Sequence, residues 1–208
     1  LIGSDFSDYF SILDFEAIHD FRAMQMVLEL LRLKVGSPIS YSNIAEDVQV
    51  SPVTVKKYIE ILENLYIIFR VAPHSRNIAR SILKEPKIYF FDTGLVKGDS
   101  GVKFENFVAI SLLKHTLAKV DYSGKELELS YVRTKEGKEV DFALVENGDI
   151  SELVEAKYAD GELSKVLKYF SEKYKLKAAQ VVGELKRERT IGDVNIVSAS
   201  KYLRDLFL

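Results

Sequence analysis

The sequence predicts an α/β fold, α+β overall, with an N-terminal winged helix-turn-helix followed by a mixed sheet carrying helices on its faces. Three observations lead to this prediction. Apolar residues recur at helical spacing as far as about residue 64. Two runs rich in β-branched and aromatic residues come next. The second half then alternates helix-like and strand-like segments, and Asn147-Gly148 is a strong hairpin signal.

The first half contains three predicted helices. Apolar steps of three and four residues predict a helix over residues 15–35, which Gly36 and Pro38 should end. A short helix is expected over 41–48. Ser51 is a good N-cap for the next helix, and Pro52 suits its first position. That helix should run to about residue 64, and a tight turn before it completes a helix-turn-helix pattern. Its predicted buried face consists of Val55, Tyr58, Ile59 and Leu62.

Strands are predicted next at 66–71 and 87–91, with a basic loop over 73–86 between them. A helix-turn-helix followed by such a hairpin is a winged helix, so we expect a winged-helix domain with a helical lead-in over residues 1–98. A Gly/Ser turn cluster at 98–101 marks its end. A second α/β domain should then occupy 99–208. The aromatic residues expected in the hairpin core are Tyr66, Phe69, Tyr89, Phe90 and Phe91.

The second domain has the predicted order αβββαββα. A crossover helix after three meandering strands implies a mixed sheet with helices on its faces. The predicted helices cover 102–119, 162–173 and 198–206, the predicted strands cover 129–134, 139–145, 150–157, 178–182 and 194–197, and a charged turn is expected at 184–189.

Composition excludes several classes of protein. The 208 residues include no cysteine, which rules out a disulfide scaffold and zinc sites built on thiolates. The three histidines are scattered, and no apolar run approaches the roughly 20 residues that span a bilayer. The N-terminal stretch is acidic, unlike a signal peptide. Because the chain opens on Leu1, we expect it to be the C-terminal part of a larger cytoplasmic protein.

Charge is unevenly distributed along the chain. Residues 1–50 hold three basic and eight acidic residues, whereas residues 51–90 hold seven basic and three acidic residues. A basic segment of this kind indicates anion binding. In a winged helix, the start of the second motif helix and the wing loop contact DNA, although many such modules dock proteins instead. The candidate DNA-binding residues are Thr54, Lys56, Lys57, Arg76, Asn77, Arg80 and Lys84.

The strongest chemical signal lies on two adjacent predicted strands. Glu155 and Lys157 are two residues apart and share a face, and the preceding strand can place Asp141 beside them. Neighbouring carboxylates repel unless a cation separates them, and Mg²⁺ or Mn²⁺ suits oxygen ligands. Lys157 would add positive charge beside a phosphate, and Glu105 on the preceding helix could complete the site. The alternative is a solvated strand face with ordinary ion pairs.

These residues make the chain resemble the PD-(D/E)XK nuclease superfamily, which includes restriction endonucleases. More specifically, the chain resembles the C-terminal region of uncharacterised function in archaeal and bacterial AAA-type ATPases. The stretches that carry this resemblance are Tyr41-Ser-Asn-Ile-Ala, Ser51-Pro-Val-Thr-Val-Lys56, Ser75-Arg-Asn77, Pro86-Lys-Ile-Tyr-Phe-Phe-Asp-Thr-Gly94, Phe104-Glu-Asn-Phe107, Arg133-Thr-Lys135, Glu139-Val-Asp141 and Glu155-Ala-Lys157.

The resemblance implies a metal bound by Glu105, Asp141 and Glu155, with Lys157 as the catalytic lysine. In one departure from the superfamily pattern, Val140 stands where the superfamily usually has proline. No GxxxxGK[ST] motif occurs, so ATP binding is expected only in an N-terminal ATPase domain outside this sequence.

Three hypotheses follow. The first is a Mg²⁺-dependent DNA endonuclease steered by the winged helix and the ATPase. The second is a non-catalytic module that docks DNA or a protein for the ATPase domain. The third, an adaptor at the membrane edge, is disfavoured because no basic amphipathic helix is visible. The expected partners are DNA and the ATPase domain, with a homo-oligomer possible and no membrane.

Overall fold

The computed structural model describes residues 20–74 and 85–206, which form a mixed α/β fold. These residues contain six α-helices and eight strands. The helices are α1 (Phe21–Leu33), α2 (Tyr41–Val48), α3 (Pro52–Asn64), α4 (Ser100–Ser123), α5 (Lys165–Tyr174) and α6 (Ala199–Arg204). The strands are β1 (Ile68–Pro73), β2 (Lys87–Phe90), β3 (Leu127–Arg133), β4 (Glu139–Glu146), β5 (Asp149–Ala159), β6 (Ala178–Glu184), β7 (Arg189–Ile191) and β8 (Val194–Ser198).

Local capping fixes the first three helices. The side chains of Asp20, Ser40 and Ser51 accept backbone N–H bonds at the starts of α1, α2 and α3, and Pro52 occupies the first turn of α3. The predicted bounds of α2 and α3 are confirmed. The predicted first helix is confirmed over Phe21–Leu33, two residues short of its predicted end, and residues 15–19 lie outside the described part of the chain. Gln49, in the left-handed conformation, makes the turn between α2 and α3.

The apolar face of α3 is buried as predicted. Tyr58 is 3% exposed, and the hydroxyl of Tyr58 donates to the backbone oxygen of Asp20 at 3.2 Å, which ties α3 to the start of α1. Lys56 and Lys57 lie on the exposed side of the helix. Replacing these lysines should therefore leave the packing intact. The remaining residues of the buried face are Val55, Ile59 and Leu62, all fully buried.

One continuous sheet joins the two halves of the sequence. Its strand order is β2-β1-β3-β4-β5-β6-β8-β7, with both parallel and antiparallel neighbours. The β1–β2 hairpin is antiparallel, and β1 also pairs in parallel with β3 through Ala72–Ser130 and Pro73–Tyr131. This pairing was not predicted from the sequence. The domain boundary near residue 98 stays a prediction.

The predicted order of the second half needs one correction. The segment 184–189 was expected to be only a charged turn before a single strand, but Arg189–Ile191 forms β7, antiparallel to β8. The observed order is therefore αβββαβββα. Gly192 turns the hairpin with φ +60°, and the guanidinium of Arg189 pairs with Asp160 at 3.0 Å. A three-residue strand that buries none of its residues leaves no apolar alternation to detect.

Two helices cover opposite faces of the sheet. Val154 packs in the core that contains Val108 of α4, whereas Leu153 packs in the core that contains Leu167 and Phe170 of α5. Adjacent residues of a strand point to opposite faces, so α4 and α5 lie on different sides. Of the helices in the described ranges, none combines the length and apolarity that a membrane span requires.

The aromatic residues of the hairpin divide into two groups. Phe69, Tyr89 and Phe90 are buried as predicted. The prediction was wrong for Tyr66, which is 75% exposed, and for Phe91, which is 36% exposed. Tyr66 precedes β1 in a turn with φ +55°, so its side chain leaves the packed surface and meets the edge of Phe91 with ring centroids 5.8 Å apart.

The side chain of Asn106 joins α4 to the end of β2. Its amide oxygen accepts the backbone N–H of Phe90 at 2.8 Å, and its amide nitrogen donates to the backbone oxygen of Phe90 at 2.9 Å. The same nitrogen donates to the hydroxyl of Thr93 at 3.2 Å. Asn106 is fully buried, so it satisfies strand groups that water cannot reach.

Glu152 on β5 contacts the last described helix. Its carboxylate accepts the hydroxyl of Tyr202 at 2.9 Å. Burial raises the pKa of Glu152 above 4.5, although Tyr202 and Lys177 oppose the shift. The pKa of this carboxyl is therefore higher in the folded protein than its value near 4.5 in the unfolded chain. Such a group stabilises the folded protein at pH values below the unfolded-state pKa. The contribution is lost as the pH rises through the folded-state pKa.

We therefore expect Glu152→Gln to stabilise the protein at pH 7 and to have little effect at pH 4. Each unit of raised pKa costs about 1.4 kcal/mol when the group must ionise in the folded state. Thermal unfolding at the two pH values measures the difference. Tyr202→Phe, which removes the donor but keeps the ring, should instead destabilise more at pH 7 than at pH 4. Equal effects of Glu152→Gln on stability at both pH values would contradict a raised pKa of Glu152 in the folded protein.

Candidate functional site

Strands β4 and β5 separate at the candidate site. Their ladder reaches the pair Phe142–Val154, and beyond it the carboxylate of Asp141 accepts the backbone N–H of Ala156 at 3.0 Å. The side chain of Asp141 thus replaces a strand-to-strand bond where the strands diverge. Glu155 and Lys157, two residues apart on β5, border the same gap.

Four carboxylates and two lysines meet at this gap, and we call them the acidic cluster. The ammonium of Lys87 lies 2.7 Å from Glu139, 3.8 Å from Glu105 and 3.8 Å from Asp141. The ammonium of Lys157 lies 2.9 Å from Glu155. The charges of Asp141 and Glu155 also act on Glu105. The four residues predicted from the sequence, Glu105, Asp141, Glu155 and Lys157, are therefore brought together.

Three further residues at the site, Lys87, Tyr89 and Glu139, were not predicted to belong to it. Lys87 is 1% exposed, and two residues later Tyr89 donates its hydroxyl to Glu105 at 2.8 Å. The ring of Tyr89 packs against Phe142 with centroids 5.5 Å apart. The sequence did offer one signal: Lys87 belongs to a strand whose other members are all apolar or aromatic. Because charged residues are rarely buried without a partner, such a lysine indicates a nearby carboxylate.

Gly36 makes room for Glu105. Its φ of +76° favours glycine, and an added Cβ would lie 2.5 Å from the Oε1 atom of Glu105. The backbone N–H of Gly36 also donates to the backbone oxygen of Ile88, between Lys87 and Tyr89. The glycine that ends the first predicted helix thus also allows the carboxylate of Glu105 to approach β2.

Burial and mutual repulsion raise the pKa values of two carboxyls in the cluster. Burial raises the pKa of Glu105 to about 7, the charge of Asp141 adds to this effect, and Lys87 and Tyr89 oppose it. Burial also raises the pKa of Glu155, with a further contribution from Asp141 and opposition from Lys157. A nearby cation would favour the ionised form of both groups.

Both lysines of the cluster remain cationic. Burial alone lowers the pKa of Lys87, but Asp141, Glu105 and Glu139 outweigh it, and the pKa is raised. The pKa of Lys157 is raised in the same way, since Glu155 and the other carboxylates outweigh burial. Lys157 is 47% exposed in its side chain, so its ammonium can reach a molecule at the opening of the gap.

The fit of a divalent ion depends on Glu155. Its Oε2 atom is buried and has no hydrogen-bond partner within the described residues. A buried carboxyl oxygen without a donor is suited to a cation, which would favour its ionised form. Within residues 20–74 and 85–206, no three His, Cys, Asp or Glu side chains are arranged to hold a metal ion, and the ammonium of Lys87 already contacts Glu105 and Asp141. Of the three ligands that the resemblance implies, Glu105, Asp141 and Glu155, only Glu155 has a buried oxygen that lacks a donor among the described residues.

Three of the candidate DNA-binding residues lie at the start of α3. Thr54 is partly buried, and its hydroxyl shares a 2.8 Å hydrogen bond with the capping hydroxyl of Ser51. Lys56 is 58% exposed in its side chain and lies 3.7 Å from Glu60, and Lys57 is exposed. The remaining candidates, Arg76, Asn77, Arg80 and Lys84, lie outside the described residues.

Comparison with known proteins divides the chain into two matched segments. A family model described as a domain of unknown function (DUF8612) matches residues 4–104. A second domain of unknown function (DUF4143) matches residues 100–202. The acidic cluster takes Lys87 from the first segment and its other five residues from the second, and Tyr89 of the first segment donates to Glu105. No curated protein matches the sequence significantly. No solved structure does so either.

Proposed function

We propose that this chain is a divalent-metal-dependent DNA endonuclease module, with a winged helix over α1–β2 and a PD-(D/E)XK nuclease-like domain built on α4–α6. By the resemblance of its sequence, it would be the C-terminal region of a cytoplasmic AAA-type ATPase, with ATP hydrolysis in the preceding domain. The observation that carries the proposal is the meeting of Glu105, Asp141, Glu155 and Lys157 where β4 and β5 diverge.

Each side chain of the cluster has a role in this proposal. Asp141, held by the N–H of Ala156, and Glu155, with its unpartnered Oε2, would hold a Mg²⁺ or Mn²⁺ ion. Such an ion stabilises negative charge that develops on a phosphate. Lys157 would donate to a phosphate oxygen from the open side of the gap. Glu105, the third ligand that the resemblance implies, accepts the hydroxyl of Tyr89 and lies 3.8 Å from the ammonium of Lys87.

A second candidate function is a docking module that binds DNA or a protein without cleavage. The position of Lys87 favours this reading, because its ammonium already neutralises charge that a metal would otherwise balance. The winged helix would then deliver DNA or a partner to the ATPase domain. In this reading the acidic cluster holds β2, α4 and β4 together.

The experiment that separates the two functions is a cleavage assay on the purified chain. Supercoiled, linear duplex and forked DNA are incubated with Mg²⁺, with Mn²⁺ and with EDTA. Metal-dependent cleavage supports the endonuclease, and DNA binding without cleavage supports the docking module. If gel shifts at low salt detect no binding to duplex, forked or single-stranded DNA, the nucleic-acid assignment fails for both.

DNA binding through the winged helix should weaken steeply with salt. Four to five phosphate contacts would give a slope of log K against log salt of about −4, and Lys56→Ala with Lys57→Ala should flatten it by about 2. Filter binding at several salt concentrations measures the slope. Lys168→Ala is the matched control, since Lys168 lies 3.7 Å from Glu172 just as Lys56 lies 3.7 Å from Glu60. An unchanged slope in the double variant would exclude α3 from the DNA contact.

A further inference from the structure

Lys87 holds an unusual position in the acidic cluster. It is a lysine with 1% exposure, on a four-residue strand whose other members are completely buried apolar or aromatic residues. Its ammonium lies within 4 Å of three carboxylates that come from β4 and α4. The ring of Tyr131 lies 5.3 Å away and closes another side. Lys87 is therefore surrounded by anions and an aromatic face, and its own side chain has almost no contact with water.

Electrostatics gives this arrangement a consequence for metals. A buried ammonium is tolerated only when anions pair with it. Here those anions are the carboxylates that would serve as ligands of a second divalent ion. A divalent ion beside Glu105, Glu139 and Asp141 would stand close to the ammonium, where like charges repel strongly in a buried site. By contrast, the buried Oε2 atom of Glu155 lacks a hydrogen-bond partner within the described residues, and the other carboxyl oxygen pairs with the ammonium of Lys157 at 2.9 Å.

We propose that Lys87 is a resident cation of the acidic cluster, which takes the place of one divalent ion and leaves room for a single ion beside Asp141 and Glu155. The binding of one ion beside Asp141 and Glu155 rests on the proposed endonuclease function. The exclusion of a second ion by Lys87, which we call blocking, does not. Lys87 is a positioning residue, because it acts through the carboxylates it holds. The site is thus a one-ion site with a built-in positive charge.

The test is the number of Mn²⁺ ions bound per chain, measured by isothermal titration calorimetry and by electron paramagnetic resonance of free Mn²⁺. The wild-type chain should bind about one ion, and Lys87→Met should bind one more. Mn²⁺ at a hundredfold excess over its Kd should raise the thermal midpoint of Lys87→Met by about 5–10 °C beyond the rise seen for the wild type. Lys97→Met, which removes an exposed ion pair with Glu29, should bind the wild-type number.

The outcomes separate this inference from the proposed function. If the wild type binds no ion and Lys87→Met binds one, the endonuclease proposal loses its metal but the blocking by Lys87 is supported. If the wild type binds two ions, or if Lys87→Met folds and gains none, the inference is overturned. If Lys87→Met does not fold, Lys87→Met with Glu139→Gln restores the balance of charge and should recover folding. Failure of this double variant to fold would also overturn the inference about Lys87.

Discussion

Asp141→Asn is expected to reduce the proposed metal-dependent DNA cleavage by on the order of 100-fold or more, because it removes a charged side chain that the proposal assigns to the metal ion. The substitution should preserve the fold. An asparagine oxygen can still accept the N–H of Ala156 that the carboxylate of Asp141 accepts at 3.0 Å. Initial rates of plasmid cleavage in Mg²⁺ and in Mn²⁺ measure the loss.

DNA binding should behave differently from cleavage in this variant. Removing a negative charge from the gap between β4 and β5 should leave affinity unchanged or increase it, which a gel shift at fixed salt detects. Glu146→Gln is the matched control, because Glu146 lies on the same strand but pairs with Lys125 at 2.7 Å, outside the acidic cluster. Cleavage by Asp141→Asn at the wild-type rate would show that the acidic cluster has no role in the reaction.

Asn106→Ala should cause a large loss of stability. It leaves the backbone N–H and the backbone oxygen of Phe90 buried without their amide partner, and the free energy of unfolding should fall by about 2–4 kcal/mol. For a chain of this size the thermal midpoint should fall by roughly 5–15 °C. Urea denaturation followed by circular dichroism measures the free energy directly.

Ser111→Ala on the same helix provides the comparison. The hydroxyl of Ser111 donates only to the backbone oxygen of Phe107 within α4, at 2.9 Å, so its loss should change stability by less than about 0.5 kcal/mol. A similar small effect of Asn106→Ala would mean that the end of β2 finds other partners. A large effect would identify the Asn106 amide as the main link between α4 and the hairpin.

Features with local causes could be predicted from the sequence. The start of α3 was predicted because Ser51 and Pro52 act on the turn that they begin. The pairing of Glu155 with Lys157 follows from the two-residue period of a strand, and Asp141 is only one hairpin away. These signals need no knowledge of distant contacts.

Features that depend on distant contacts could not be predicted. Lys87 and Tyr89 reach the cluster from a strand that precedes β4 by some fifty residues, and only the packing of the hairpin against α4 and β3 brings them there. The strand β7 depends on its partner β8, since its own residues show no apolar alternation. The exposed position of Tyr66 results from its positive φ. Such a φ is usually indicated by glycine or asparagine, and neither stands at this position.

The parallel pairing of β1 with β3 has an evolutionary consequence. Exchange of the N-terminal half for another module, by recombination near residue 100, would remove Lys87 from the acidic cluster and Tyr89 from Glu105. It would also leave Ser130 and Tyr131 of β3 without their strand partners. The two halves are therefore expected to be inherited together, and a gene that carries the second half alone would need substitutions that rebalance Glu105, Glu139 and Asp141.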